Sequence, residues 1–193
     1  MKTIDEQRLD TDLAYRFEYL AEFIGFGPGD RAAIQACGPL LGPMIPQIVE
    51  KTYDKLLAFD ATARHFLPKQ SGFEGAQPGG LTDLSPGHPQ VQFRKEHLGR
   101  YFMHILTRTC DQTMAPYLEM VGKIHTPRAG NAEIDVHQVQ MNALMGYMAD
   151  LMADLLQESG MDTETAWKAH RAFSKLLWIQ NDFIARQYQP VGK

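Results

Sequence analysis

Cysteine is nearly absent. Cys37 and Cys110 stand far apart and no CxxC occurs, which excludes a zinc cluster and a cofactor attached through CxxCH. No stretch approaches the uninterrupted apolar run of about 20 residues that a membrane helix needs, and the mean hydropathy is −0.31. The N-terminus, Met1 to Arg8, is charged with no apolar run behind it, so neither a membrane span nor a signal peptide is expected; the chain reads as cytoplasmic. There is no excess of positive charge. A net charge of −4 gives no footprint for nucleic acid and would be repelled by anionic lipid. GxSxG, the P-loop and HExxH are all missing, and Gly25-Phe-Gly-Pro-Gly follows no strand, so it is no dinucleotide loop. The β-branched alternation that marks strands never runs for more than a few residues.

Helical spacing is what recurs. A first amphipathic stretch runs from Glu6 to Phe23, with Leu13, Phe17, Leu20 and Ile24 on one face. Asp30 to Leu41 reads as a second helix with Asp30 as its N-cap. Ile45 to Phe59 is a third, with Pro46 in the first turn, where amide donors are unpaired anyway. Pro68 to Pro89 mixes glycine and proline without period and reads as a long loop, of the kind that is functional or mobile inside a compact domain. Helix resumes from Val91 to Thr109 and from Met114 to His125, the latter stopped by Pro127. Two long helices follow, Val136 to Glu158 and Thr163 to Gln187, separated by Gly160. The first is apolar over a wide arc, with Met141, Leu144, Met145, Met148, Leu151, Met152 and Leu155. One buried stripe does not need so many positions, which points to a second buried face against another subunit.

Seven histidines carry most of the potential chemistry. His65, His88 and His170 read as solvated, and His97, His104 and His137 lie on expected helices. His125 is different, falling four residues after Val121 and seven after Leu118, on an apolar helix face just before Pro127. It is either a core histidine bonded to a carbonyl or a metal ligand whose second ring nitrogen is fixed by one. Tyr53, four after Val49 and three before Leu56, faces the core. Its hydroxyl either finds a backbone acceptor or points as a donor into an apolar cavity.

Three stretches, in order, resemble the protoglobins and the sensor globin domains of globin-coupled sensors. Asp30 to Leu67, DRAAIQACGPLLGPMIPQIVEKTYDKLLAFDATARHFL, is similar to the family's first globin helices and places Tyr53 at the tyrosine facing the haem ligand. RTCDQ, Arg108 to Gln112, resembles the turn before the proximal helix. YLEMVGKIHTPRAG, Tyr117 to Gly130, resembles the proximal segment, with Val-Gly followed three residues later by His125. The likeness spans about Tyr15 to Tyr188. It implies an all-α, globin-like helical sandwich filling residues 1–193 as one haem-binding domain, with 1–28 as an extra N-terminal helix and 29–193 as the globin core. It implies haem b, with His125 on the iron. Leu98 falls where the family carries a bulky residue over the distal side, Arg94 one turn earlier near the haem edge, within reach of a propionate. Val121 lies on the proximal helix, and Val139, Leu144 and Tyr147 fall at positions that resemble haem contacts. Two departures stand out: the 68–89 loop is longer than in the family, and the tryptophan and phenylalanine pair flanking the distal site is missing.

The resemblance implies reversible binding of O2, NO or CO, for sensing or scavenging. The alternatives are a haem enzyme acting on NO, nitrite or peroxide, and a haem-free helical interaction module in which His125 and Tyr53 share no cavity. The chain ends at Lys193 just after the last helix, so no covalent output domain is expected. In the resembling family the last two helices of each subunit form a four-helix interface, which implies a homodimer.

Overall fold

The computed structural model describes residues 1–189; residues 190–193 of the expected domain lie outside the described part. Among the described residues there are helices and turns and no strand, in a globin-like arrangement. The helices are α1 (Glu6–Thr11), α2 (Leu13–Ile24), α3 (Pro28–Leu41), α4 (Ile45–Leu57), α5 (Asp60–Ala63), α6 (Pro89–Thr107), α7 (Ala115–Lys123), α8 (Gln138–Glu158) and α9 (Thr163–Ala185).

The expected first helix is two. Asp12 adopts an extended conformation, φ −116° and ψ 101°, and its carboxylate accepts from the Tyr15 amide at 3.0 Å. An aspartate that can cap a new helix competes with continuing the old one. Asp30 likewise plays a different part from the one its type suggested. Gly27 is the N-cap of α3 and Pro28 opens the helix. The Asp30 carboxylate sits in the first turn and reaches back to accept from the Gly27 amide at 2.9 Å, which is the carboxylate half of a capping box. At the preceding boundary Gly25 takes φ 75°, a left-handed conformation that a side chain would strain.

Buried positions follow the helical period. In α3 they are Ile34, Cys37 and Leu41, and in α4 they are Ile45, Ile48, Val49, Thr52 and Tyr53. A 3-10 turn at Gly42–Met44 joins these two helices, and the combined run Pro28–Leu57 reaches a mean hydropathy of 1.2 over its most apolar window. One stretch therefore is long and apolar enough for a membrane span, contrary to expectation. A third of that window is buried, in the protein's own core, which accounts for part of that apolarity.

Helix α9 is the hub, packing against α2, α3, α7 and α8, while α4 packs on α6. One apolar cluster runs from Phe17 to Phe183. The wide arc of α8 is largely spent here: Met141, Met148, Leu151, Met152, Leu155 and Leu156 are all buried within the protomer. The large apolar side chains that α8 and α9 leave exposed are Val139, Trp167 and Trp178.

The 68–89 loop is tied down at its base. Phe73 is buried, with its ring 5.5 Å from that of Phe93. The side chain of Gln90, fully enclosed, donates to the carbonyls of Phe66 at 2.6 Å and Pro68 at 3.0 Å. A short 3-10 turn at Leu81–Asp83 is its one helical piece.

Candidate functional site

Helix α7 is positioned by a glycine. A Cβ added at Gly122 would stand 2.6 Å from the Phe183 carbonyl oxygen and 3.2 Å from the Ile184 Cα. Backbone cannot yield as a side chain can, so the close approach of α7 to α9 requires that residue. This gives the Val-Gly element of the proximal segment its physical reason. The helix stops at Lys123, two residues earlier than expected, and His125 follows in a turn. Its carbonyl accepts from the Val136 amide at 2.9 Å, so both sides of the connection between α7 and α8 hold it.

The imidazole of His125 is oriented by one bond, Nδ1 to the Val121 carbonyl at 2.7 Å. A carbonyl accepts and never donates, so Nδ1 carries a proton. Burial pushes the pKa of His125 below its ordinary value, and the charge of Arg94 pushes the same way, against the Val121 bond. The ring is therefore neutral, with its lone pair on Nε2. That is the form in which imidazole ligates a metal, with the second nitrogen locked by a carbonyl.

Tyr53 lies across from this on α4, buried, with its ring 5.5 Å from Phe66. Burial raises the phenol pKa well above its ordinary value and the Arg94 charge opposes that rise, so the hydroxyl is a donor at any physiological pH. Arg94, on α6, places its Cζ 4.9 Å from the centre of the Phe66 ring. Its Nε and Nη2 are buried without a hydrogen-bond partner among the described residues. The Phe66 ring brings Arg94 of α6 and Tyr53 of α4 together, and the Arg94 charge adds to the lowering of the His125 pKa.

The remaining candidates divide. Leu98, one turn beyond Arg94, and Leu144 are half-buried against the core. Val121 is half-buried, and its contribution is the carbonyl that holds His125. Tyr147 points its hydroxyl to the Lys51 carbonyl at 3.1 Å, with Lys55 Nζ 5.3 Å from its ring centre, which places it along α4. Val139 is 71% exposed, in the first turn of α8.

Two residues at this site escaped the sequence reading. Phe66, the ring shared by Tyr53 and Arg94, sits in the 3-10 turn Arg64–Phe66, where no helical period could mark it. His65, expected in solvent, is buried there. Gln140 Nε2 donates to the Ala61 carbonyl at 2.9 Å, which leaves Gln140 Oε1 to accept from His65 Nε2 at 3.1 Å. Burial, with the nearby Arg64 charge, lowers the pKa of His65, and it too lies within electrostatic reach of His125. The other histidines have local duties. His88 Nδ1 accepts from the Gln90 amide at 3.1 Å to cap α6, and the His104 ring stacks on Tyr117 at 4.3 Å.

An apolar cavity of about 30 Å³ lies elsewhere in the core, lined among others by Leu41, Ile48, Phe102, Met152 and Phe173. It includes none of His125, Arg94 or Tyr53, and it has room for little more than one water-sized molecule. Among the described residues no three His, Cys, Asp or Glu side chains converge to hold a bare metal ion. A single available histidine suits a metal whose other ligands come with a cofactor. A buried guanidinium without a carboxylate suits a group that brings negative charge, and Phe66 offers an apolar wall. The residues present therefore fit a haem, and His125 Nε2 is the atom that could ligate its iron. No curated protein matches the sequence. A model of the protoglobin family matches residues 13–193, nearly the whole chain, and the protein belongs to that family of haem-binding, gas-binding globins.

Proposed function

We propose that this protein holds haem b through His125 and reversibly binds O2, NO or CO in the cytoplasm, for sensing or scavenging. The observation that carries the reading is the His125 Nδ1 bond to the Val121 carbonyl, which leaves a neutral imidazole with a free Nε2 lone pair in the region shared with Arg94 and Tyr53. Haem iron supplies the position at which a diatomic gas binds. The chain supplies the rest. His125 fixes the metal on one side, and the carbonyl behind it raises the basicity of Nε2. The Tyr53 hydroxyl donates a hydrogen bond to a polarised ligand and discriminates against a less polar one. Leu98, Val121 and Leu144 contribute apolar surface that keeps water from competing, whereas Val139 is 71% exposed and Tyr147 is bonded to the Lys51 carbonyl, away from the expected contact set.

Sensing that passes through subunit geometry needs a second surface, and we place a homodimer at α8 and α9. Trp167 and Trp178 support it. They are 60% and 65% exposed and eleven residues apart, about three helical turns, so they lie on one stripe of α9. A two-fold interface of this kind is the commonest closed homo-oligomer, and light scattering at micromolar concentration reads it directly.

The deciding experiment for the haem assignment is an absorption spectrum of the purified protein, which should show a Soret band. His125→Ala should abolish stable haem retention, with added imidazole restoring it. Unchanged haem content and ligation spectra in that variant would mean that another residue holds the iron.

A further inference from the structure

We propose that Tyr188 and Glu119 are positioning residues for His125, joined by the 3-10 turn Arg186–Tyr188 that follows α9. The inference rests on the haem reading above and concerns how firmly the chain sets its ligand against the iron.

His125 lies just beyond α7, so its place depends on two anchors. The Val121 carbonyl holds Nδ1 of the ring, and the Val136 amide holds the carbonyl of His125 itself. Each anchor is in turn held by the same short turn. On one side Glu119, two residues before Val121, accepts from Arg186 and from Gln187 at 2.9 Å each. Gln187 is 4% exposed, and its Cγ stands 3.0 Å from where a Cβ on Gly122 would lie. On the other side the Tyr188 hydroxyl donates to the Val136 carbonyl at 2.7 Å. Val136 therefore accepts from Tyr188 through its carbonyl and donates to His125 through its amide. Between the two anchors, Arg128 donates to the Gln189 carbonyl.

Consecutive residues of one turn thus close on both ends of the segment that carries His125. The Glu119–Arg186 pair is 13% and 15% exposed, where the lower local dielectric strengthens such bonds. Burial and the Asp135 charge push the Tyr188 phenol up to about 12, so its hydroxyl stays a donor at physiological pH. Partners behind a metal's direct ligand orient that ligand and tune its bond. The Val121 carbonyl does this on the ring; Tyr188 and Glu119 act one step further out, on the backbone that carries ring and carbonyl.

Tyr188→Phe deletes the hydroxyl and keeps the ring. The ferrous, haem-loaded full-length protein is followed by resonance Raman spectroscopy at the iron–histidine stretching band. In the variant that band should fall in frequency and broaden, because the imidazole is no longer held in one place. Haem transfer from the ferric form to an acceptor globin should be about 2- to 13-fold faster, the scale of one neutral hydrogen bond. Glu119→Gln, which keeps an acceptor and removes the charge, should move the band the same way. If Glu119→Gln does not fold, Tyr188→Phe decides alone. The urea midpoint of the haem-free chain is measured alongside, since a merely structural bond acts on that midpoint and leaves the band where it is. An unmoved band in Tyr188→Phe overturns the proposal, whether or not the midpoint falls. Failure of the underlying haem reading shows separately, as a parent protein with no Soret band.

Discussion

The junction of α2, α7 and α9 and the region between α4, α6 and α7 each draw an arginine out of solvent, and they treat it in opposite ways. At the junction every charge is answered. Arg186 donates to Glu119 at 2.9 Å and to the Asp10 carbonyl at 2.7 Å, while Gln187 donates to the same Glu119 oxygen at 2.9 Å. Arg16 forks onto Asp182, with Nη2 at 2.9 Å. Between α4 and α6 the guanidinium of Arg94 has two buried donors with no partner, and His125 offers a lone pair to no protein group that the hydrogen bonds reveal. Buried polar groups are normally satisfied, and departures from local rules concentrate where a protein binds something. Gln90 Oε1 and Asn181 Oδ1 are also buried without a partner among the described residues, so it is the unanswered charge of Arg94 that supports the proposed cofactor site between α4 and α6.

The contrast can be broken by stability measurements on the haem-free chain. Arg186→Gln removes one partner of a pair whose side chains are 15% and 13% exposed, and should destabilise by about 3 kcal/mol, the lower end for breaking a buried pair. Arg94→Gln removes a charge that nothing compensates, so the haem-free fold should be unchanged or more stable. Urea midpoints for the two variants read this directly. Equal losses would mean that Arg94 has a structural partner, and the comparison would collapse.

Gly122 joins the two regions, since it sets α7 against α9 three residues before His125. Gly122→Ala pushes a methyl group to 2.6 Å from a backbone oxygen, and overpacking of this kind costs about 1–3 kcal/mol. The displaced helix carries His125 with it, so haem should also dissociate faster than from the parent protein. Normal stability with normal haem retention would show that α7 shifts freely and that the His125 position does not depend on this contact.

Most of the helices were legible in the sequence because their buried faces repeat at the helical period, as in Ile45, Ile48, Val49, Thr52 and Tyr53. The breaks were less so. Asp12 ends one helix by capping the next, and an amphipathic pattern passes over such a change. Asp30 has the right residue type for an N-cap, yet Pro28 lies two residues earlier and takes the opening of the helix. His125 and Tyr53 stood out by their spacing on apolar faces. His65 and Phe66 did not, because a 3-10 turn has no face to read. Pairing is the property that spacing hides most completely. Lys95 and Arg94 are neighbours of like charge, and nothing in the sequence says that Glu50 answers the first and leaves the second.

The smallest expected effect tests the distal side of the contrast. Tyr53 is buried, and burial, opposed by Arg94, keeps its hydroxyl protonated. Tyr53→Phe keeps the ring against Phe66 and deletes one donor, so stability of the haem-free chain should barely change. In the haem-loaded protein the lost hydrogen bond to a polarised ligand is worth about 0.5–1.5 kcal/mol net. Placed wholly on dissociation, that is about a 2- to 13-fold faster O2 off-rate. CO carries less charge on its outer atom and accepts a weaker bond, so its off-rate should move less. Stopped-flow release of both gases from the parent and the variant gives the two ratios. If O2 and CO respond alike, the hydroxyl acts on the ligand by something other than its polarity; if neither responds, Tyr53 is a packing residue.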